Sequence, residues 1–379
     1  MGKTIPAATA AVIILLLIGS PPAARASATA TGVSRDFNPA VSVNALLLYR
    51  SGLGETTVEP DSGSEAGHDH GAAGDGFAVQ ETELRLTSII DPYAKADFVF
   101  AMHGTDGFEL EEGFVRLISL PRGLGLRAGK AYFEFGKHNA YHTHQFPFVE
   151  RPYAWDALLG EHGLNGAVVE ASWLTPLPWY AEVIAYGFPS IETVYGDHEI
   201  PENEWGGGAR IRQLWEAGDR ATVDLGVSYA GGDALRGGRR HFTGADLTFK
   251  WSGTGRNPRT LEIQSEWFRR MEDLESWNPH QDGFYAHALG RVTRRVVAGA
   301  RIDFLRSDEF TGSEGGDVFS ETNQENPDVT TFTGSLAFVP SEFQAIRLDV
   351  IHRDFGDSDE QAGRLQYNFT IGSHPAHRY

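Results

Sequence analysis

The most constraining feature of this sequence is a series of segments of about ten residues in which apolar and polar side chains alternate. In Leu261–Trp267, Leu, Ile and Trp share one face and Glu, Gln and Glu the other. The segments at 345–350 and 365–371 alternate in the same way. A period of two residues is typical of β-strands, because successive side chains point to opposite faces. The pattern therefore predicts an all-β chain.

Counting these segments predicts sixteen strands. They lie at 39–50, 77–90, 93–103, 108–120, 124–136, 164–175, 179–188, 205–216, 220–231, 240–252, 259–271, 283–294, 296–307, 329–339, 344–355 and 362–372. Short connections alternate with longer ones, and aromatic residues cluster at the segment ends. An even number of such strands is typical of barrels that cross a membrane, where a closed sheet pairs every backbone group. We therefore predict a single transmembrane antiparallel β-barrel of about sixteen strands.

The first 26 residues have the features of a secretory signal peptide. Lys3 precedes an apolar run at 12–18, and Ala24-Arg25-Ala26 supplies a cleavage site with small residues. We expect residues 1–26 to be removed and residues 27–379 to form the barrel as one domain. The predicted location is the outer membrane of a Gram-negative bacterium, with outer-membrane lipid as a partner.

Charge and composition narrow the partners and the chemistry. The formal net charge is −19, which disfavours nucleic acid and favours cations or a solvated acidic surface. The chain has no cysteine, so any metal ligands must be histidines and carboxylates, which suit zinc among other ions. The sequence contains no G-x-S-x-G, H-E-x-x-H or P-loop motif. We therefore predict a protein that is not an enzyme and needs no cofactor, with Zn²⁺ as a candidate bound or transported ion.

One connection, 137–163, is unusually long and rich in histidines, acids and aromatic residues. Connections of more than about 12–15 residues are usually functional or disordered, and the aromatic residues here need a surface to pack against. In an extended backbone, His142 and His144 point the same way. The candidate metal ligands in this loop are His138, His142, His144, His162, Asp156 and Glu161.

The same loop histidines would equally serve to hold the loop in place by hydrogen bonds, and the sequence leaves both roles open. A second candidate metal site is His68-Asp69-His70, within the Gly-rich stretch GSEAGHDHGAAGDG. Its alternative is a solvated loop without metal, since short histidine-rich tracts bind metal only in some proteins.

The block from 77 to 186 contains FAVQETELRLTSIIDPYAKADF and LEEGFVRLISLPRGLGLRAGKAYFEFGKHNAYHTHQFPFVERPYAWDALLGEHG. It resembles a porin-type outer-membrane β-barrel family that is distantly similar to phosphate-selective porins and is often labelled zinc-regulated outer-membrane receptor. The resemblance implies that the long third loop folds inward and narrows the pore. Glu150, Arg151, Tyr153 and Trp155 would then line the constriction. The chain has no room for the plug and 22 strands of an energy-coupled receptor.

Three functions remain open from the sequence. The first is a porin-like channel for passive uptake of small solutes, with divalent metal such as zinc as a candidate solute. The second is an anion or general diffusion porin in which the histidines are structural. The third is a non-conducting barrel that acts as an adhesin or scaffold. Porins of this size commonly form trimers, so a homotrimer is the candidate assembly. Charges of both signs are predicted to face the lumen, among them Asp97, Asp224, Asp246, Glu266, Arg301, Asp303, Arg347 and Asp349.

Overall fold

The structure, a computed structural model, describes residues 39–52, 75–104, 107–160, 162–189, 205–233, 239–255, 259–273, 280–307, 328–356 and 358–372. Within these ranges no helix is long and apolar enough to cross a membrane. The predicted signal peptide at 1–26, the segment His68-Asp69-His70 and Glu161 lie outside the described residues.

Sixteen β-strands dominate the described chain. They are β1 (Ala40–Gly52), β2 (Gly76–Asp91), β3 (Ala94–His103), β4 (Glu109–Leu117), β5 (Leu124–Tyr132), β6 (Asn165–Leu174), β7 (Tyr180–Pro189), β8 (Trp205–Ala217), β9 (Ala221–Asp233), β10 (Arg239–Ser252), β11 (Thr260–Asp273), β12 (His280–Thr293), β13 (Val296–Ser307), β14 (Val329–Ser341), β15 (Gln344–Asp354) and β16 (Asp359–Gly372). Between β5 and β6 lie two 3₁₀ turns, His138–Ala140 and Thr143–Gln145, and one helix, α1 (Tyr153–Leu159).

The strands form one closed antiparallel barrel. Each strand pairs with its neighbours in sequence, and β1 closes the sheet by pairing with β16 from Ser42 opposite Gly372 to Gly52 opposite Ala362. Closure leaves no unpaired edge, which is the condition for placing a sheet in lipid. The predicted fold class, a sixteen-stranded antiparallel β-barrel, is confirmed.

Side chains alternate between the two faces of the wall as the sequence predicts. On β15, Ile346, Leu348 and Val350 point outward and are each more than two-fifths exposed, whereas Arg347 and Asp349 are buried on the inside. Apolar side chains thus face outward toward lipid, and charged side chains line the interior. The predicted inward charges at Asp97, Asp224, Asp246, Glu266, Arg301 and Asp303 are likewise buried.

The predicted β5 extends too far, because the strand ends at Tyr132 and not at residue 136. The backbone N–H of Phe133 donates to the Leu164 carbonyl at 2.9 Å, and the chain then leaves the sheet at Gly136, whose φ is 57°. Phe133 and Phe135 keep the alternating pattern of a strand because both are buried in an apolar cluster inside the barrel. Their periodicity therefore reflects tertiary packing and not sheet pairing.

Candidate functional site

The chain between β5 and β6, residues 133–164 (the β5–β6 loop), makes hydrogen bonds to inward-facing side chains on widely separated strands. The backbone N–H of His138 donates to Glu266 on β11 at 3.3 Å, and that of Val149 donates to Asp349 on β15 at 2.7 Å. These partners lie four strands apart in the closed sheet. The loop therefore passes through the interior of the barrel.

An apolar cluster holds one part of this loop against the wall. Trp155, on α1, is fully buried and packs against Phe268 of β11 with ring centroids 4.9 Å apart. Phe135 lies 6.4 Å from the Trp155 ring, and Leu158 and Leu159 of α1 are buried beside them. Burying large apolar side chains is the main favourable term in packing, so this cluster fixes α1 inside the barrel.

A β-bulge on β4 turns two consecutive acids to the inside. In the pairing of β3 with β4, Val99 lies opposite Glu112 and Phe100 opposite Leu110, so Glu111 has no partner in the register. An extra residue of this kind breaks the alternation of side chains. Glu111 and Glu112 are consequently both buried on the inner face.

His142, in the β5–β6 loop, lies between these two acids. Its Nδ1 is 3.0 Å from Oε2 of Glu111, and its Nε2 is 3.0 Å from Oε2 of Glu112. Only the imidazolium form carries a donor on both ring nitrogens. Burial by itself lowers the pKa of His142, but the carboxylates of Glu111 and Glu83 and the hydrogen bonds to Glu111 and Glu112 outweigh it and hold the pKa well above its usual value.

Two further acids come from β2. Oε2 of Glu83 lies 3.1 Å from Nδ1 of His144 and 3.4 Å from Nδ1 of His142. Both carboxylate oxygens of Glu81 are buried without a hydrogen bond of ordinary geometry to the described residues. The side chain of Thr143 and Nδ1 of His103, 3.5 Å away, are among its polar neighbours. We call Glu81, Glu83, Glu111 and Glu112 the acidic cluster.

Two groups in this region bring three potential metal ligands together, with their donor atoms within 4.8 Å of one another. One is Glu81, Glu83 and His144, and the other is Glu83, Glu111 and His142, so Glu83 belongs to both. All five residues are buried.

A separate set of arginines holds the loop on the other side of β1. Nε of Arg364 on β16 donates to Oε1 of Glu150 at 2.5 Å, and Arg353 on β15 lies 3.8 Å from the second oxygen. Arg301 on β13 donates to the backbone carbonyls of Glu150 and Arg151 at 2.7 and 3.0 Å. We call Arg301, Arg353 and Arg364 the arginine cluster. The loop thus presents imidazoles to the acids and a carboxylate to the arginines.

Among the predicted loop ligands that the structure describes, it brings together His142 and His144, whose ring centroids are 5.9 Å apart. His138 is buried among aromatic rings, 5.0 Å from Phe146 and 5.6 Å from Trp155, and belongs to neither ligand group. Burial, followed by Arg151 and Arg301, lowers its pKa well below the usual value.

Two more predicted ligands lie near the surface. His162 has about half its side chain exposed and lies 4.0 Å from Glu109. Asp156 is similarly exposed and lies 3.7 Å from Arg151.

The residues predicted to line the constriction contact either the arginine cluster or the apolar cluster around α1, or lie next to them. Glu150 meets the arginine cluster and Trp155 the apolar cluster, as described above. The guanidinium of Arg151 lies over the Phe146 ring at 4.9 Å. Tyr153 contacts the ring of Phe355 and the guanidinium of Arg353, which is 4.7 Å from the Tyr153 ring centre.

The acidic cluster was not among the predicted site residues. Glu81 and Glu83 occupy alternate positions of β2, so their common face was visible in the sequence. Glu111 and Glu112 stand out as adjacent acids that break the alternation. Neither pattern indicated that the two strands present their carboxylates to the same loop.

Comparison with known proteins finds the same barrel fold in outer-membrane proteins. No family model matches the chain. An uncharacterized protein of Aquifex aeolicus (strain VF5) is 27% identical over 359 residues, covering 83% of this chain and 72% of that protein. OprB of Pseudomonas putida superposes with a TM-score of 0.62 at 8% identity, covering 89% of this chain and 95% of that one.

The outer membrane channel DcaP of Acinetobacter baumannii superposes with a TM-score of 0.55 at 10% identity, covering 88% of this chain and 96% of that one. At these identities the likeness shows the fold. The chain therefore has the porin-like barrel fold of these outer-membrane proteins, and the predicted localisation agrees with it.

Proposed function

We propose that this protein is a passive outer-membrane channel for small hydrophilic solutes that prefers cations, with divalent metal ions such as zinc among its solutes. The observation that carries the proposal is the acidic cluster, four carboxylates buried on the inner wall beside the β5–β6 loop. Rings and clusters of carboxylates are the usual means by which a pore favours cations. The excess of acids over bases in the whole chain acts in the same direction.

The acidic cluster and the arginine cluster create an electric field across the interior of the barrel. The acidic cluster belongs to β2 and β4, whereas the arginine cluster belongs to β13, β15 and β16, with β1 between them. Fixed charges of opposite sign in different sectors of a pore orient and separate passing ions. Cations are thereby drawn toward Glu111 and Glu112 and anions toward Arg353 and Arg364.

The alternative is an anion or general diffusion porin in which the histidines are structural. The arginine cluster favours it, because three guanidinium groups gather at Glu150, Arg364 and Arg353 at its carboxylate and Arg301 at its backbone carbonyl. The bonds of His142 to Glu111 and Glu112 also suit a purely structural role. In this alternative the loop histidines only anchor the loop.

Single-channel recording in planar bilayers separates these functions. We expect a K⁺/Cl⁻ reversal potential that indicates cation preference, and a Glu111→Gln/Glu112→Gln variant that shifts it toward chloride. Glu342→Gln is the matched control, because it removes the same charge from an exposed turn between β14 and β15. Micromolar to millimolar Zn²⁺ is expected to block the current, with weaker block in a His142→Ala/His144→Ala variant.

Three results contradict the proposal in different ways. Anion preference that is indifferent to zinc supports the diffusion porin, and Arg353→Gln/Arg364→Gln should then reduce that preference. Cation preference without any effect of zinc overturns only the metal part. An absence of conductance in folded protein, checked by its heat-modifiable migration on gels, supports an adhesin or scaffold. Chemical cross-linking of the same protein in native membranes tests the homotrimer.

A further inference from the structure

We propose that the acidic cluster, together with His142 and His144, binds two divalent transition-metal ions that share the carboxylate of Glu83 and fasten the β5–β6 loop to β2 and β4. The inference goes beyond the proposed function, since it concerns resident ions and is measured without any current.

The first support is the arrangement of the donors. One set joins Glu83 to Glu81 and His144, and the other joins it to Glu111 and His142. A single oxygen of Glu83 approaches Nδ1 of both histidines, at 3.1 and 3.4 Å. A carboxylate in this position is placed to bridge two ions. Glu112, at 3.0 Å from Nε2 of His142, contacts the ring nitrogen that does not face this set, and would orient the imidazole as a hydrogen-bond partner behind the ligand.

The second support is the charge of the cluster. Four buried carboxyl groups face two imidazoles, so with all six groups ionised two negative charges are in excess (4 − 2 = 2). His103 lies 3.5 Å from Glu81 and also 3.7 Å from Glu109, so one further imidazolium would be divided between two acids. Burying carboxylates without compensation is costly, and such groups are normally paired or coordinate a metal. Divalent ions supply the missing positive charge.

The third support is Glu81 itself. Its side chain is 1% exposed, and neither carboxylate oxygen makes a hydrogen bond of ordinary geometry to the described residues. A buried carboxylate in this condition needs a partner, because an unsatisfied buried polar group destabilises the folded protein. One carboxylate oxygen of Glu81 lies in the ligand group formed with Glu83 and His144, so the partner that fits is a cation bound there.

Arg127 does not take the place of the metal. Arg127 reaches this region through the backbone carbonyl of Tyr132 at 3.0 Å, but its guanidinium is also 2.5 Å from Glu170. The hydroxyl of Tyr132 donates to Glu111, which removes no negative charge.

The donor set indicates which ions fit. Carboxylate and imidazole ligands without thiolates suit Zn²⁺, Mn²⁺, Fe²⁺ and Co²⁺ more than soft ions such as Cu⁺. The two sets together supply three glutamates and two histidines. Binding at His142 requires its imidazole to be deprotonated, so the ion displaces a proton that passes to solvent.

Metal stoichiometry tests the proposal. The protein is folded in detergent, stripped with EDTA and incubated with ZnCl₂, and bound zinc is measured after gel filtration. A His68→Ala/His70→Ala background removes the candidate histidine pair of the Gly-rich stretch. We expect two zinc ions per chain, one after either His142→Ala or His144→Ala, and none after Glu83→Gln. Co²⁺ absorption in the visible range reports directly on imidazole and carboxylate coordination.

Glu272→Gln is the matched control, since Glu272 is equally buried but is paired with Arg240 and Arg270 at 2.6 and 2.9 Å. It should keep two ions. Fewer than two ions in the parent, or unchanged binding after Glu83→Gln, overturns the proposal. If Glu83→Gln fails to fold, the two histidine variants test the proposal instead. Two bound zinc ions in both His142→Ala and His144→Ala would also overturn it. A cation-selective channel without bound zinc overturns this inference alone, whereas bound zinc in a non-conducting barrel overturns only the channel.

Discussion

Glu111 and Glu112 are consecutive residues of β4, yet their carboxylates approach opposite nitrogens of the same imidazole, each at 3.0 Å. A regular strand would place one of them in lipid, because successive side chains point to opposite faces. The bulge at Glu111 brings both inside, and His142 joins them to the β5–β6 loop. The charged part of the loop is therefore held to the wall by side-chain ion pairs, whereas the part around α1 is held by apolar packing.

Removing the imidazole should weaken this attachment strongly. In His142→Ala the buried carboxylates of Glu111 and Glu112 lose their cation, and breaking a buried ion pair in this way costs about 3–5 kcal/mol. Urea unfolding in lipid vesicles measures the loss in the free energy of unfolding. His352→Ala is the control, because its side chain on β15 is 45% exposed, and it should cost at most about 0.5 kcal/mol. A loss of less than about 1 kcal/mol in His142→Ala would show that the ion pairs do not stabilise the loop.

Acidification should release the loop from the arginine cluster. Burial alone raises the pKa of Glu150, but Arg364, Arg353 and Arg301 outweigh it, so the pKa lies below its usual value of 4.5. A carboxyl group with a lowered folded pKa stabilises the fold above its unfolded pKa and loses that contribution as the pH falls through the folded pKa.

As the pH is lowered from about 4.5, we therefore expect the free energy of unfolding of the wild type to decrease more steeply than that of Glu150→Gln. At neutral pH the variant is expected to be the less stable of the two. Unfolding curves at a series of pH values measure this difference. Glu216→Gln, at an exposed position at the end of β8, should follow the wild type. Parallel curves for wild type and Glu150→Gln would refute the role of Glu150.

Truncating Trp155 should both destabilise the barrel and widen its interior. The side chain is completely buried between Phe268 and Phe135, and removing a buried aromatic side chain costs about 3–5 kcal/mol. Trp155→Ala is expected to lower the free energy of unfolding by that amount and to raise the single-channel conductance. Trp205→Ala, whose side chain is 65% exposed at the start of β8, should change neither quantity appreciably.

A methyl group at Gly136 should displace the start of the loop. Gly136 has a φ of 57°, and a Cβ there would lie 1.5 Å from a carboxylate oxygen of Glu266. That carboxylate accepts hydrogen bonds from the backbone of Lys137 and His138 at 3.2 and 3.3 Å, so moving it removes both. Gly136→Ala should lower the yield of folded, heat-modifiable protein. Gly334→Ala, where a Cβ meets open space, should leave the yield unchanged.

Much of the barrel could be predicted because strand formation depends on the pattern of neighbouring residues. Ile346, Leu348 and Val350 alternate with Arg347 and Asp349 over a few residues, and this period determines both the strand and its lipid-facing side. The same rule gave a wrong prediction at Phe133 and Phe135. There the alternation of apolar and polar residues continues although the chain no longer pairs with a neighbouring strand. Apolar side chains packed inside a barrel by a loop produce the same pattern as those on a strand.

The sequence by itself determined the number of strands, the outward and inward faces and the existence of a long histidine-rich loop, since each depends on neighbouring residues. Only the tertiary structure decided that Glu81 and Glu83 of β2 meet Glu111 and Glu112 of β4 around His142. β3 separates these strands, so their side chains converge only through the curvature of the closed sheet, the bulge at Glu111 and the path of the loop through the interior. Those three features depend on contacts between residues far apart in the chain, which no local pattern records.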